Sequence, residues 1–291
     1  YIAENSDVAN ALWYFIHIPK TAGSSFRQEL ATRLKPEANI VVDRTASDLP
    51  HRERLVAAVK GFLADPQYKN ARFASGHVPH VVARPIFTQR KPLRLVTMLR
   101  DPVERVISDF RYQRTEAHTG REESLRRFPT FESYVREVGT QNKMYKFLRE
   151  SPQQDVAGTI AWLEQNFAFV GVTEDYNWSL TLLFRLLGIK EKPSVYTRKT
   201  VDNADNQIED LEKWRPLIVE SNKLDMQIYR HFRQKLNGAK RAMRLAVSAP
   251  FHSSLMKPAA ERMRETGVVD VASYLASRLQ DHVMPFLDMQ Y

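Results

Sequence analysis

The chain has 291 residues, 43% of them apolar, enough to bury a sizeable core as one large soluble globular domain or a domain with an appendage. It contains no cysteine, which excludes disulfides, thiolate metal sites and a cysteine nucleophile and favours a reducing compartment. Lys and Arg outnumber Asp and Glu 43 to 34, a formal charge of +9 that draws an anionic partner; without a zinc-finger, RNA-recognition or basic-zipper pattern beside it, that partner is not nucleic acid. No run of about 18 apolar residues occurs, so no integral membrane span is expected. The expected location is the cytoplasm of a bacterium, with a Golgi-lumenal or membrane-anchored form left open should an anchor precede Tyr1.

Short β-rich apolar runs alternate with helical patterns. Strands are expected at Trp13 to Ile18, Ile40 to Val42, Arg72 to Ala74, Leu93 to Leu99 and Phe167 to Val172. Helices are expected at Ser24 to Leu34, Pro50 to Ala64, Pro102 to Arg114, Thr173 to Leu187 and Asn206 to Leu236, and the charged stretch from Thr115 to Pro129 reads as a surface loop. Such alternation predicts an α/β layer fold with a central, mostly parallel sheet flanked by helices.

Two segments carry chemistry. Tyr14 to Phe26 reads as a strand, a tight turn and a helix, and that turn aims free amides and the positive helix end at one spot where an anion belongs. Within it Pro19-Lys20-Thr21-Ala22-Gly23-Ser24-Ser25 supplies a mobile cation, a glycine allowing close approach and three hydroxyls. It is not a Walker A loop, since no glycine opens it and Lys20 precedes Gly23, so triphosphate hydrolysis is disfavoured. The second segment, Arg100-Asp101-Pro102 to Ser108, ends a strand and opens a helix, with Arg100 and Ser108 able to face the crevice at the carboxyl edge of the sheet. Pairing of Arg100 or Arg105 with Asp101 or Glu104 at the helix start is the bland reading of these charges.

Taken together, the two segments resemble the 5′-phosphosulfate and 3′-phosphate loops of sulfotransferases that use 3′-phosphoadenosine 5′-phosphosulfate (PAPS), in particular the group containing heparan sulfate 2-O-sulfotransferases and their bacterial relatives. The resemblance continues through Phe169 to Glu174 and Asn222-Lys223-Leu224-Asp225, covering about residues 12–236. It implies a nucleotide-kinase-like P-loop sandwich in a sulfotransferase domain over 1–236, with a helical extension over 237–291. It also implies that Pro19 to Ser25 wraps the phosphosulfate, that Arg100 and Ser108 hold the 3′-phosphate, and that the product is 3′-phosphoadenosine 5′-phosphate (PAP). The chemistry needs a base but no metal. His77, in Ser75-Gly76-His77-Val78, resembles the Gly-His-Val segment carrying the catalytic histidine of uronyl 2-O-sulfotransferases, although Ser75 stands where those have a second histidine. His80 and His17 compete for the role. Lys20 is assigned to the leaving phosphate. Arg198-Lys199-Thr200 is a loose echo of the family's Arg-Lys-Gly loop.

The acceptor expected is a hydroxyl of a glycan or glycolipid, and Arg72, Arg84, Arg90, Lys91 and the region from Arg111 to Arg127 could line its cleft. A nucleotide kinase or a catalytically silent nucleotide-binding scaffold are the alternatives. The segment from Gly238 to Pro258 is instead similar to the region around the catalytic histidine of malonyl-CoA:acyl-carrier-protein transacylases, with His252 in that place. No G-x-S-x-G serine elbow accompanies it, so acyl transfer is not expected. Val269, Val271, Tyr274, Leu275 and Leu279 could cover the main domain or a partner subunit of a homo-oligomer.

Overall fold

The computed structural model of the protein describes residues 10–43, 49–90, 92–194 and 204–248. The chain divides into two units, Tyr1–His231 and Phe232–Tyr291, and of the second only the stretch to Ser248 is described. Arg198-Lys199-Thr200, Lys91, His252 and the apolar positions from Val269 to Leu279 lie outside the described residues.

The elements run β1 (Leu12–Ile16), α1 (Gly23–Arg33), β2 (Glu37–Ile40), α2 (His51–Ala64), β3 (Phe73–Gly76), α3 (His80–Gln89), β4 (Leu93–Leu99) and α4 (Pro102–Gln113). Then follow α5 (Arg121–Arg127), α6 (Phe131–Arg136), α7 (Lys143–Leu148), α8 (Val156–Asn166), β5 (Phe167–Val172), α9 (Tyr176–Leu186), α10 (Leu211–Ser221) and α11 (Lys223–Ser248). The strands form one sheet in the order β2-β3-β1-β4-β5, every neighbouring pair parallel. This is the α/β sandwich with a central parallel sheet that the alternating pattern predicts.

β1 lies in the middle, and all five of its residues are buried, as expected of a strand covered on both faces. Because successive side chains point to opposite faces, Trp13 and Phe15 pack with Phe26 and Leu30 of α1 and Leu180 and Phe184 of α9. Tyr14 points the other way and meets Phe87 of α3 edge-on at 5.2 Å. Each such side chain contributes about 1.5–3 kcal/mol of burial. Among the described residues no helix is long and apolar enough to cross a membrane.

Three expectations are corrected. The second strand starts three residues earlier than read, because Ala38 and Ile40 face inward while Val41 is 71% exposed. The stretch from Thr115 to Pro129 contains α5 rather than only loop. Glu122 and Glu123 in its first turn and Arg126 and Arg127 in its last complement the helix dipole, and the buried Ser124 hydroxyl donates to Gln113 Oε1 at 3.0 Å. The single helix expected over Asn206 to Leu236 is two, α10 and α11, split at Asn222. There the starts of α11 and α7 exchange caps: Asn142 Oδ1 accepts from the Leu224 amide at 3.0 Å, while Asp225 accepts from the amides of Met144 and Tyr145 at 3.1 and 2.7 Å. Asn222 Oδ1 in turn accepts from the Asn142 amide at 2.9 Å. Asn222 and Asp225 thus act as structural ties.

A buried charge cluster joins α4 to α7. Arg105, fully buried, donates to Asp109 Oδ2 at 3.2 Å and to the Thr140 carbonyl at 3.2 Å, and Lys143 Nζ reaches the same Asp109 oxygen at 3.0 Å. Burial pushes the Asp109 carboxyl up, but Lys143 and Arg105 outweigh it and hold the group well below the carboxylate range. Removing the shared anion strands two cations. Asp109→Ala is therefore expected to lower unfolding free energy by about 3–5 kcal/mol, read from urea denaturation; an unchanged midpoint would mean that the cluster contributes nothing to stability.

Candidate functional site

Parallel pairing brings the strand exits to one edge. Ile16 of β1 is level with Gly76 of β3 and Thr97 of β4, so the chain leaves the sheet side by side at His17, His77 and, three residues past Thr97, Arg100. Ligands of open α/β sheets bind at this carboxyl edge, where the strand order reverses.

The turn between β1 and α1 is unusual in its backbone. Lys20 and Ala22 hold left-handed conformations at φ 69° and 58° without being glycine. Each such residue costs roughly 1–2 kcal/mol, so the surroundings must over-determine the turn. The Thr21 hydroxyl, fully buried, donates to the Ile18 carbonyl at 3.0 Å, and Arg100 Nη1 donates to the Lys20 carbonyl at 3.2 Å. Ala22 is the N-cap of α1 and no side chain caps the helix. The paired left-handed residues and the helix start make an amide-lined concavity that suits an oxyanion.

The residues expected to wrap an anion play different parts. Lys20 is half-buried, Ser24 is exposed in the first turn of α1, and Ser25 is buried beside the Tyr176 phenol. Pro19, half-buried in the turn, has no N–H to give. The Thr21 hydroxyl has already donated its proton inward, leaving only its backbone to face an anion. Gly23 is required by its own neighbour: a Cβ there would lie 2.1 Å from Cδ2 and Nε2 of His17. The missing side chain makes room for an imidazole.

Arg100 and Ser108 join the same place. Lys20 Nζ sits 3.9 Å from the centroid of the Tyr112 ring, and Tyr112 follows Ser108 by four residues on α4, so Ser108 shares the helix face that Lys20 covers. Asp101 caps α4 through the amides of Val103 and Glu104 at 2.9 and 3.3 Å, and its own amide donates to Glu174 Oε1 at 2.9 Å. Arg100 therefore spends a donor on the turn, and Arg105 pairs with Asp109; neither pairs with Asp101 or Glu104 in the way of the bland reading. Burial lowers the Lys20 ammonium to about 8, with Asp109 opposing the shift and Arg100 adding to it. Burial also lowers Arg100, against Glu174 and Glu104. Tyr112 and Asp109 are additions that sequence reasoning missed; the four-residue spacings from Ser108 to Tyr112 and from Arg105 to Asp109 were the available signal.

The histidines separate cleanly. His77 is exposed just beyond β3, and its Nδ1 lies 2.8 Å from the His17 carbonyl. A carbonyl only accepts, so Nδ1 carries the proton and the lone pair of the neutral ring is on Nε2, the arrangement a general base needs. The His17 ring lies 3.9 Å from that of His77 and stacks on Phe15 at 5.1 Å. Burial, then His77 and Arg27, lower His17 well below the usual histidine value and keep it neutral. His80 is buried against Phe87 and Trp162, and burial and Arg84 lower it to about 4. Both competitors are packing residues. Ser75 is buried and donates to Asn39 Oδ1 at 3.0 Å.

Of the basic residues expected around an acceptor, Arg72 and Arg90 lie elsewhere and several on or near α5 are paired. Arg72 immediately precedes β3, and Arg90 stands between α3 and β4, so both lie at the amino edge of the sheet. Arg121 pairs with Asp205, Arg126 with Glu123 and Arg127 with Glu137, while Arg114 donates to the Phe128 carbonyl. Apart from the Arg126–Glu123 pair, which lies within α5, these contacts fasten the region around α5 to its neighbours.

No family model matches the chain. Malonyl CoA-acyl carrier protein transacylase of Bacillus subtilis (strain 168) is 71% identical over 31 residues, which are 11% of this chain and 10% of that protein. The match thus spans about a tenth of that relative's length. Among solved structures, a mouse sulfotransferase complexed with PAP is similar with a TM-score of 0.45 and 12% identity, over 78% of this chain and 88% of that one. A sulfotransferase from Alicyclobacillus acidocaldarius is similar with a TM-score of 0.41 and 14% identity, over 75% and 95%. Likenesses at this level decide nothing about the chemistry, which rests on the site itself.

The contact between His17 and Gly23 is testable by a double-mutant cycle. Gly23→Ala is expected to destabilise by about 1–3 kcal/mol through overpacking, and by clearly less in a His17→Ala background. Equal costs in both backgrounds, measured by denaturant unfolding, would show that the ring does not set the glycine requirement.

Proposed function

We propose that the carboxyl edge is a PAPS site and that the chain transfers the sulfuryl group to an acceptor hydroxyl, of a carbohydrate such as a glycan or glycolipid. The observation that carries this reading is the convergence of hydrogen-bond donors at one edge: turn amides, Lys20, Arg100 and Ser108, with a correctly tautomerised His77 on the adjoining exit. The donor set fits a ligand with two separated anionic groups. The turn of Pro19 to Ser25 would hold the 5′-phosphosulfate, and Arg100 with Ser108 the 3′-phosphate. Bound there, PAPS supplies an activated sulfuryl group and leaves as PAP.

The chain's own residues do the rest. His77 Nε2 takes the proton of the attacking hydroxyl while its Nδ1–H stays on the His17 carbonyl, so the ring keeps its orientation as it becomes cationic. The Lys20 ammonium neutralises charge gathering on the departing phosphate, and its partial burial strengthens that interaction. Tyr112 holds the ammonium in place beforehand. A nucleotide kinase would want an opening glycine in the turn, which this chain lacks.

Isothermal titration tests the cofactor reading. PAP is expected to bind more tightly than ADP, and Lys20→Ala and Arg100→Ala each to weaken it about ten- to a hundredfold, as charge-assisted hydrogen bonds contribute about 1.5–3 kcal/mol. No binding, or an equal response to ADP, would overturn it. With PAPS and an acceptor, His77→Ala should lower the rate by about 10²–10⁴ while leaving PAP affinity unchanged.

The pH dependence has a definite sign. Lys20 carries its charge below about 8 and loses it above, so PAP affinity should hold below that pH and fall by up to tenfold per unit above it. In Lys20→Gln that decline should vanish; its persistence would assign the titration to another group.

A further inference from the structure

At the opposite, amino edge of the sheet lies a cavity of about 340 Å³, bounded by the entries to β1, β3 and β4. Its polar lining is Asn10, Lys69, Asn70, Arg72 and Arg90 over a floor that includes Leu12 and Pro92, and among the described residues no carboxylate lines it. The walls are fixed by the backbone. The Leu12 amide donates to Pro92 O at 2.9 Å and the Arg72 amide to Pro36 O at 2.8 Å. The amides of Lys69 and Ala71 close the adjoining turn on Pro66 O and Tyr68 O at 3.2 and 3.1 Å. Arg90 secures this turn further, its guanidinium donating to the carbonyls of Tyr68 and Ala71.

Arg90 is therefore partly committed to the framework, whereas Arg72 is not. Among the described residues Arg72 makes no ion pair, and it lines the cavity without being spent on a carboxylate. Lys69 adds an exposed ammonium at the mouth. We propose that this cavity is a second binding site, for an oxyanion carried on a body of single-ring size: a sugar bearing a sulfate, phosphate or carboxylate. The cationic Arg72 and Lys69 select the anion, the Leu12 and Pro92 floor accepts a ring face, and the volume falls at the small end of the range of roughly 300–1,000 Å³ for ligand pockets. Seven residues of β4 at about 3.3 Å each place it roughly 20 Å from the turn containing Lys20. The site does not depend on the sulfotransferase reading.

The test is calorimetric titration with glucose 6-sulfate, glucose 6-phosphate and glucuronate, with glucose as the neutral control, each at low and high salt. At least one anionic sugar should bind and glucose should not, with affinity falling at high salt; which of the three binds best identifies the oxyanion. Arg72→Gln should weaken that binding at least tenfold, exposed Lys69→Gln should weaken it severalfold without touching the fold, and Lys20→Ala should leave it unchanged. No binding by any of the three, binding insensitive to both Arg72→Gln and Lys69→Gln, or binding lost in Lys20→Ala would each overturn the proposal.

Discussion

The carboxyl edge depends on one close contact, the His17 imidazole lodged where Gly23 has no side chain. The ring fills that space, stacks on Phe15 and faces His77, while the carbonyl of the same residue holds His77 Nδ1. A single buried residue therefore sets both the path of the turn into α1 and the tautomer of the exposed histidine. The left-handed residues that follow, Lys20 and Ala22, become affordable only because the turn is pinned from three sides: His17 packed against Gly23, Thr21 on Ile18, and Arg100 on Lys20.

Electrostatics extends that geometry inward. Asp109 is surrounded by Arg105, Lys143 and, at longer range, Lys20, so one buried carboxylate compensates several cations. An isolated buried carboxylate would neutralise itself; with two hydrogen-bonded cations the charged form wins. Lys20 receives only part of that field, and burial prevails in lowering it to about 8. The lysine is thus left charged near neutrality yet weakly compensated, ready to pair with an anion.

Much of this was legible from residue order. A strand running into Pro19-Lys20-Thr21-Ala22-Gly23 and another ending at Arg100-Asp101-Pro102 are local signals, and local signals survive folding because β1 is a continuous apolar run and β4 a mainly apolar one, each bounded by turn residues. The partners of those residues were not legible. That Gly23 serves His17 rather than only a ligand, that Thr21 turns inward, and that Tyr112 lies under Lys20 depend on χ angles and on contacts between residues up to 92 positions apart. The helix α5 was hidden because it buries little beyond Ser124, leaving no apolar stripe. The break between α10 and α11 was hidden because its cause, Asn142, sits 80 residues upstream of Asn222. Arg114, Arg121 and Arg127 read as open surface in sequence, and only their contacts with Phe128, Asp205 and Glu137 show them engaged.

At the two edges of the parallel sheet an anion would have to be held by different means. Each helix that follows a strand runs back antiparallel to it, so helix starts collect at the carboxyl edge and helix ends at the amino edge. At the carboxyl edge the uncapped start of α1 already presents amides and partial positive charge, and Lys20 and Arg100 add to a favourable background. At the amino edge the backbone offers carbonyls and partial negative charge. An anion there requires side-chain cations in excess of what the carbonyls consume. Arg90 is consumed in this way, donating to Tyr68 and Ala71, and Arg72 and Lys69 are the excess. Within a chain of formal charge +9, the carboxyl edge would draw an anion partly through its backbone, and the amino edge could do so only through its side chains.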